Sequence, residues 1–220
     1  MIRFSFINIL LLLNCAALNV NSYAATKDST LKDVEIIQNQ ENRQRGAITY
    51  YHTCRLCHDL KYVRYQNLLE IGFEKKEIDE IRGQHDIDTP LMSTSSHEIL
   101  TELFGMIPPD LSLMAKARKH GPAHIYSFLT SYHEDDAGNY NNAFLPGTKM
   151  PDALNYSIAM NENEKMQIED IAKDLAAFLA WTSDPKSDER KSLGVYVIAY
   201  FILLSTLLYI IKQRVWRRLD

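Results

Sequence analysis

Cysteine is scarce in this chain, with three in 220 residues. Cys15 lies in an N-terminal apolar stretch, which leaves Cys54 and Cys57 in the body of the chain. So few thiols exclude a disulfide-braced scaffold, and a bridge between residues three apart would close too small a loop to stabilise much. Low-complexity runs and internal repeats are absent, and the composition is that of a globular protein. Strand signals are few, and none precedes the cysteines, so a thioredoxin-like site lacks its usual βαβ setting. A zinc site needs four ligands; His52, Cys54, Cys57 and His58 supply them only in a crowded local cluster, with no second ligand pair elsewhere. The body of the chain is also short of positive charge. Residues 26 to 211 carry 19 Lys or Arg against 27 Asp or Glu, a net charge of −8, whereas the whole chain has −4 because basic groups sit at its ends. Such a surface disfavours nucleic acid and suits a basic partner protein, although plain solubility explains it equally well.

Two segments stand apart from the fold. Arg3 precedes an almost wholly apolar run from Phe4 to Leu13, and Ser22-Tyr23-Ala24 fits the small-x-small rule for cleavage, so residues 1 to 24 read as a secretory signal peptide. At the other end, Leu193 to Ile211 gives 19 residues without a charge. As a helix this is about 28 Å long, close to the roughly 30 Å hydrocarbon core of a bilayer. Lys212, Arg214, Arg217 and Arg218 follow, which places the C-terminus in the cytoplasm and the intervening domain outside it. The expected organisation is a signal peptide at 1–24, an exported domain at 25–190, and a transmembrane anchor with a short basic tail at 191–220.

Cys54 and Cys57 are spaced C-x-x-C and His58 follows directly. Haem attachment accounts for all three residues together: two thiols add to the vinyl groups and the adjacent imidazole falls on the proximal face of the iron. The opposite face takes Met or His. Met114 and Met166 lie in helical patterns, where Met is usually packing. Met150 instead lies in Leu145-Pro146-Gly147-Thr148-Lys149-Met150-Pro151, a strap stiffened by two prolines and a glycine, and Pro151 biases Met150 toward an extended backbone. Met150 is therefore the expected sixth ligand, with Met160 next.

The remaining pattern predicts an all-α fold. Helices are expected at about 39–57, 74–82, 96–105 with Ser95-x-x-Glu98 as a capping box, 111–119, 122–132 with Pro122 in its first turn, and 162–182. A long loop covers 134 to 155, and a charged joint at 183–191 leads into the anchor. A haem would lie between the first and last of the soluble helices. The expected fold is a small cytochrome c-like haem domain plus one C-terminal transmembrane helix.

Several segments in order resemble the cytochrome c1 family: Arg45-Gly46 leading into CRLCHDLKYVRY at 54–65, PPDLSLMAKAR at 108–118, SFLTSY at 127–132 with Tyr126, FLPGTKMP at 144–151, and DLAAFLAWTSDP with Arg190 and the anchor. PPDLS followed by Ala117-Arg118 discriminates more than C-x-x-C-H does. The resemblance implies one covalent haem c on Cys54 and Cys57, with His58 and Met150 as iron ligands. It also implies Arg118 near a haem propionate and Pro109 at the haem edge. Further, it implies a subunit of ubiquinol–cytochrome c reductase in a bacterial inner membrane, beside cytochrome b. Electrons would come from a Rieske iron–sulfur protein and pass to a cytochrome c acceptor. The resemblance thins over 66 to 105, where no functional residue is assigned. Glu134, Asp135 and Asp136 form an acidic cluster that reads as a solvated loop or as a dock for a basic acceptor. Two other readings stand beside this one: a membrane-tethered c-type cytochrome of another respiratory chain, and a zinc-bound exported module without redox function.

Overall fold

A computed structural model of the chain describes residues 31–135 and 138–217. The expected leader, Asp136 of the acidic cluster and Arg218 of the basic tail lie outside the described residues.

Asn39 opens the first helix, its side chain accepting a hydrogen bond from the Asn42 N–H at 2.8 Å. Helix α1 then runs Gln40–His52 and stops short of the expected end at 57. The chain tightens into a 3-10 turn over Cys54–Leu56 and doubles back, so that the Tyr50 hydroxyl donates to the His58 carbonyl at 2.7 Å. The cysteine motif therefore sits on a turn at the end of the helix rather than within it.

The other long element of the domain is α6, Glu162–Ser183, opened by Asn161 accepting from the Glu164 N–H at 2.9 Å. It crosses α1 at Gly46, where a Cβ would collide with the Asp174 backbone and come within 2.8 Å of the Phe178 Cβ. Tyr50 and Phe178 meet beside the crossing with ring centroids 5.9 Å apart, and Trp181 stacks on Phe178 at 5.8 Å. Arg45 ties the same crossing from outside, its Nε donating to Asp174 Oδ2 at 2.6 Å. These contacts correct one expectation. The space foreseen between the first and last helices is filled by their own direct packing, and the candidate site lies to one side.

Shorter elements build that side. Strand β1, Leu60–Arg64, pairs antiparallel with β2, Pro90–Leu91, through Leu60 opposite Leu91. Helices α2 at Lys75–Arg82, α3 at His97–Phe104, α4 at Met114–Ala117 and α5 at Pro122–Leu129 follow. The α3 cap is Ser96, one residue later than expected, and its hydroxyl accepts from the Ile99 N–H at 3.4 Å. Helix α5 stops at Leu129, short of the expected 132, and a hairpin of β3, Tyr132–Glu134, and β4, Tyr140–Asn142, leads into the long loop, with Tyr132 opposite Asn142. These two short ribbons leave the mostly helical class intact.

The anchor helix α7 spans Ser187–Trp216 and contains the whole charge-free run, none of it covered by the rest of the chain. By length and composition it fits a single membrane crossing. The joint before it is shorter than expected, only residues 184 to 186, and it is pinned. Arg190 donates to both oxygens of Asp184 at 2.6 and 2.5 Å, Lys116 lies 3.0 Å from the same carboxylate, and Arg43 reaches Asp188 at 2.7 Å. Arg190 and Lys116 hold the Asp184 carboxyl well below the usual carboxylate range.

Candidate functional site

The turn after α1 gathers the cysteine motif. Cys57 and His58 N–H groups both donate to the Cys54 carbonyl, at 3.1 and 2.9 Å, which winds the three side chains into one tight loop. Both thiols are free. Cys54 is 6% exposed, and burial, reinforced by the neighbouring Cys57, pushes its thiol up to about 12. Burial also raises Cys57. Among the described residues, no three His, Cys, Asp or Glu side chains converge as a metal site.

His58 is 7% exposed, and its Nδ1 lies 2.7 Å from the Pro109 carbonyl oxygen. A carbonyl only accepts, so Nδ1 carries the proton and Nε2 keeps its lone pair. Burial lowers the imidazole's affinity for a second proton, against smaller opposing effects from the Pro109 bond, Asp59 and Asp110. The Pro109 contact thus selects the tautomer that leaves Nε2 unprotonated when the ring is neutral. Pro109 acts here through its backbone.

The placement of Pro109 follows from the residues after it. Asp110 accepts from the Lys61 N–H at 2.9 Å and from the Ser112 N–H at 2.9 Å. Ser112, fully buried, accepts through its hydroxyl from the Tyr62 N–H at 3.1 Å. The Leu111 N–H donates to the Asp59 carbonyl at 3.0 Å. PPDLS is therefore a polar clasp that lays residues 109–112 along residues 59–62, directly after the histidine. Asp59, 5% exposed, closes a second clasp: Oδ1 accepts from the Ser93 N–H at 2.7 Å and Oδ2 lies 3.2 Å from His97 Nε2. Burial works to raise the Asp59 carboxyl, but the Ser93 and His97 contacts outweigh it and hold the group below its ordinary value.

Met150 is half-buried at the edge of the apolar cluster that includes Cys54, Leu111 and Met114. Its strap is shaped by Asn142, which is fully buried. The Asn142 carbonyl oxygen accepts from the N–H groups of Phe144 and Leu145, both at 2.9 Å, while its amide donates to the Phe128 carbonyl at 2.8 Å. Gly147 turns the strap with φ +74°, a conformation that favours glycine. The Tyr132 hydroxyl donates to the Met150 carbonyl at 2.9 Å and fixes the far end. Met160, the next candidate, is 91% exposed on the surface.

Arg118 lies in extended backbone at the end of α4 and is exposed. With Lys61, Tyr62, Asp110 and Met114 it lines a cavity of about 370 Å³. Among the described residues none pairs with its guanidinium. The cavity reaches Asp110, the residue after the Pro109 whose carbonyl meets His58. Sequence reasoning missed the roles of Asp59, Ser93 and Asn142. Ser93 and His97 fall in the 66–105 region, which supplies the partners of the Asp59 carboxylate.

The C-x-x-C-H turn, an imidazole oriented by Pro109 and one anchor-length helix fit one class, a membrane-bound c-type cytochrome. The Cytochrome C1 family model matches residues 37–98 and 100–219, and the chain belongs to that family. It is 29% identical over 222 residues to cytochrome c1 of Rhodospirillum rubrum, covering 81% of this chain and 82% of that protein. It is 29% identical over 206 residues to a mitochondrial cytochrome c1 heme protein of Arabidopsis thaliana, covering 80% and 65%. Cytochrome b/c1 of Bradyrhizobium diazoefficiens is 27% identical over 223 residues, covering 79% of this chain but only 32% of that longer protein. Family membership carries with it a covalently bound haem c and a place in respiratory electron transport.

Proposed function

We propose that this chain is the haem-bearing electron carrier of a ubiquinol–cytochrome c reductase, the cytochrome bc1 complex. Cys54 and Cys57 would hold one haem c through thioethers, with His58 and Met150 as the residues that would ligate its iron. Arg118 would neutralise a propionate, and Pro109 would lie at the haem edge while its carbonyl orients the His58 ring. The observation that carries the reading is the 2.7 Å contact between His58 Nδ1 and the Pro109 carbonyl, which leaves Nε2 poised as a ligand directly after the Cys54–Cys57 pair. The donor set fits the group: two cysteines at C-x-x-C spacing suit two thioethers, and an imidazole oriented through Nδ1 suits iron.

When bound, the haem supplies a one-electron couple by outer-sphere transfer, so no general acid or nucleophile is called for. The residues of the chain hold and tune it. His58 is locked by the two clasps at Asp59 and Asp110. Met150 offers a soft thioether that favours the ferrous state. Arg118 neutralises negative charge at the solvent edge.

Electrons enter from a Rieske iron–sulfur protein and leave to a cytochrome c acceptor, in a complex that couples the flow to proton translocation. The Bradyrhizobium relative is named for both cytochrome b and c1, which supports cytochrome b as the membrane partner. Residues 1–24 form a signal peptide, 25–190 the haem domain in the periplasm, and 191–220 the anchor in the bacterial inner membrane, with the basic tail in the cytoplasm. The pinned joint at 184–186 speaks against a freely shuttling tethered cytochrome.

Met150→Ala tests the site. The variant retains covalent haem, visible by haem staining after denaturing electrophoresis, and titrates at a sharply lower reduction potential. An unchanged potential removes Met150 as ligand. Gentle detergent solubilisation tests the assembly: copurification with cytochrome b and a Rieske protein is expected, and purification with neither favours the tethered-cytochrome reading.

A further inference from the structure

Arg55 stands between the two cysteines and is 8% exposed, yet among the described residues no carboxylate lies within the 4.0 Å of an ion pair. A buried cation without a counter-ion is costly. The chain meets that cost with other groups. The guanidinium lies over the Tyr51 ring at 4.9 Å and the Tyr65 ring at 5.7 Å. Its Nη2 donates to the Tyr65 hydroxyl at 2.8 Å, and its Nε donates to the Met92 carbonyl at 3.0 Å. The aromatic walls are themselves fixed: Tyr51 donates to the Ile81 carbonyl at 2.7 Å, and Tyr65 is fully buried and stacks on His85 at 6.1 Å. The backbone is held too, with the Thr94 N–H on the Arg55 carbonyl at 3.0 Å and the Ser95 N–H on the Leu56 carbonyl at 3.3 Å.

We propose that Arg55 is a fixed positive charge that raises the reduction potential of the haem attached at Cys54 and Cys57, held for that purpose between Tyr51 and Tyr65. The inference rests on the haem reading given above. The ferric state carries one more positive charge than the ferrous state, so a nearby cation in a poorly screened interior favours reduction. Arg55 belongs to the same 3-10 turn as Cys54, which puts the charge in the attachment loop itself. Arginine suits the task because its charge persists at every working pH and its planar face stacks on rings.

The test is a potentiometric titration of the full chain in its native membrane, with haem staining and the ferrous absorption spectrum as controls. Arg55→Gln removes the charge and keeps a donor for the Met92 carbonyl; Arg55→Lys keeps the charge and loses the fork. The Gln variant is expected to retain covalent haem and an unaltered spectrum while titrating at a lower potential, and the Lys variant to stay near the parent. A Gln variant with attached haem and the parental potential overturns the proposal. So does a Lys variant that falls as far as the Gln variant, since the hydrogen bonds rather than the charge would then matter. If the Gln variant fails to mature, Arg55→Met fills the same space and repeats the test. Failure of both neutral variants beside a normal Lys variant assigns Arg55 to folding and also overturns the proposal. Lack of covalent haem in the parent chain would instead sink the haem reading, a different result from any of these.

Discussion

The two sides of the candidate site are held in unlike ways. His58 sits in a turn gripped from three separate segments: Tyr50 on its carbonyl, Pro109 on its ring, and Ser93 with His97 on the adjacent Asp59. Met150 sits on one strap, shaped locally by Asn142 and tied at its end by Tyr132. The first arrangement joins residues up to 51 positions apart, as from His58 to Pro109, while the Tyr132 tie spans 18. A ligand fixed by long-range contacts loosens only if the domain loosens. A ligand on a local strap can detach while the fold persists. The histidine side is thus coupled to global stability and the methionine side to ligation.

Substitutions on each side sharpen this contrast. Asp59→Ala should have the largest effect on stability, about 3 kcal/mol, because it leaves a buried N–H and a histidine without their acceptor. Thermal unfolding in detergent reads it as a lower midpoint, and a change below about 1 kcal/mol would break the comparison. The same residue predicts a pH dependence. Its carboxyl is depressed in the folded state, so its contribution is complete above the ordinary value of 3.8 and fades as pH falls through the lower folded value. Asp59→Asn should flatten the stability profile in that acidic window. Asn142→Ala should come next, at about 2 kcal/mol, through the loss of two strap N–H acceptors and the bond to Phe128. Its sharper signature is spectroscopic: the ferric methionine–iron charge-transfer band should weaken while covalent haem stays complete. Tyr132→Phe should be smallest, about 1 kcal/mol, with a partial loss of the same band and little shift in unfolding. Equal loss of the band in Asp59→Ala would show that the two sides are not separate.

The sequence displayed the candidate ligands better than what holds them. C-x-x-C-H and the Pro-flanked Met150 are local patterns, legible because the chemistry lies within a few residues. The clasps were hidden because the groups that Asp110 and Ser112 bind come from residues 61 and 62, a separation of 49 or 50 positions that periodicity cannot reveal. Asp59 looked like one charge among many until Ser93 and His97 closed on it. The first helix was read too long because nothing local after His52 forbids helix; the turn is enforced by tertiary contacts such as Tyr50 on His58. The hairpin at 132–142 escaped notice because each strand has three residues and Asn-rich β4 carries no apolar alternation. The Ser95–Ser96 ambiguity is of another kind, since adjacent serines offer two caps and only the chain's path selects one.

The pinned joint before the anchor also bears on geometry. With three residues between two helices and carboxylates caught on both sides, the domain stands on a stalk without a hinge. Its clearance above the lipid surface and the direction its redox edge faces are then built into the chain. The electron-transfer role proposed above would then be carried out from a fixed mount rather than by a swinging domain.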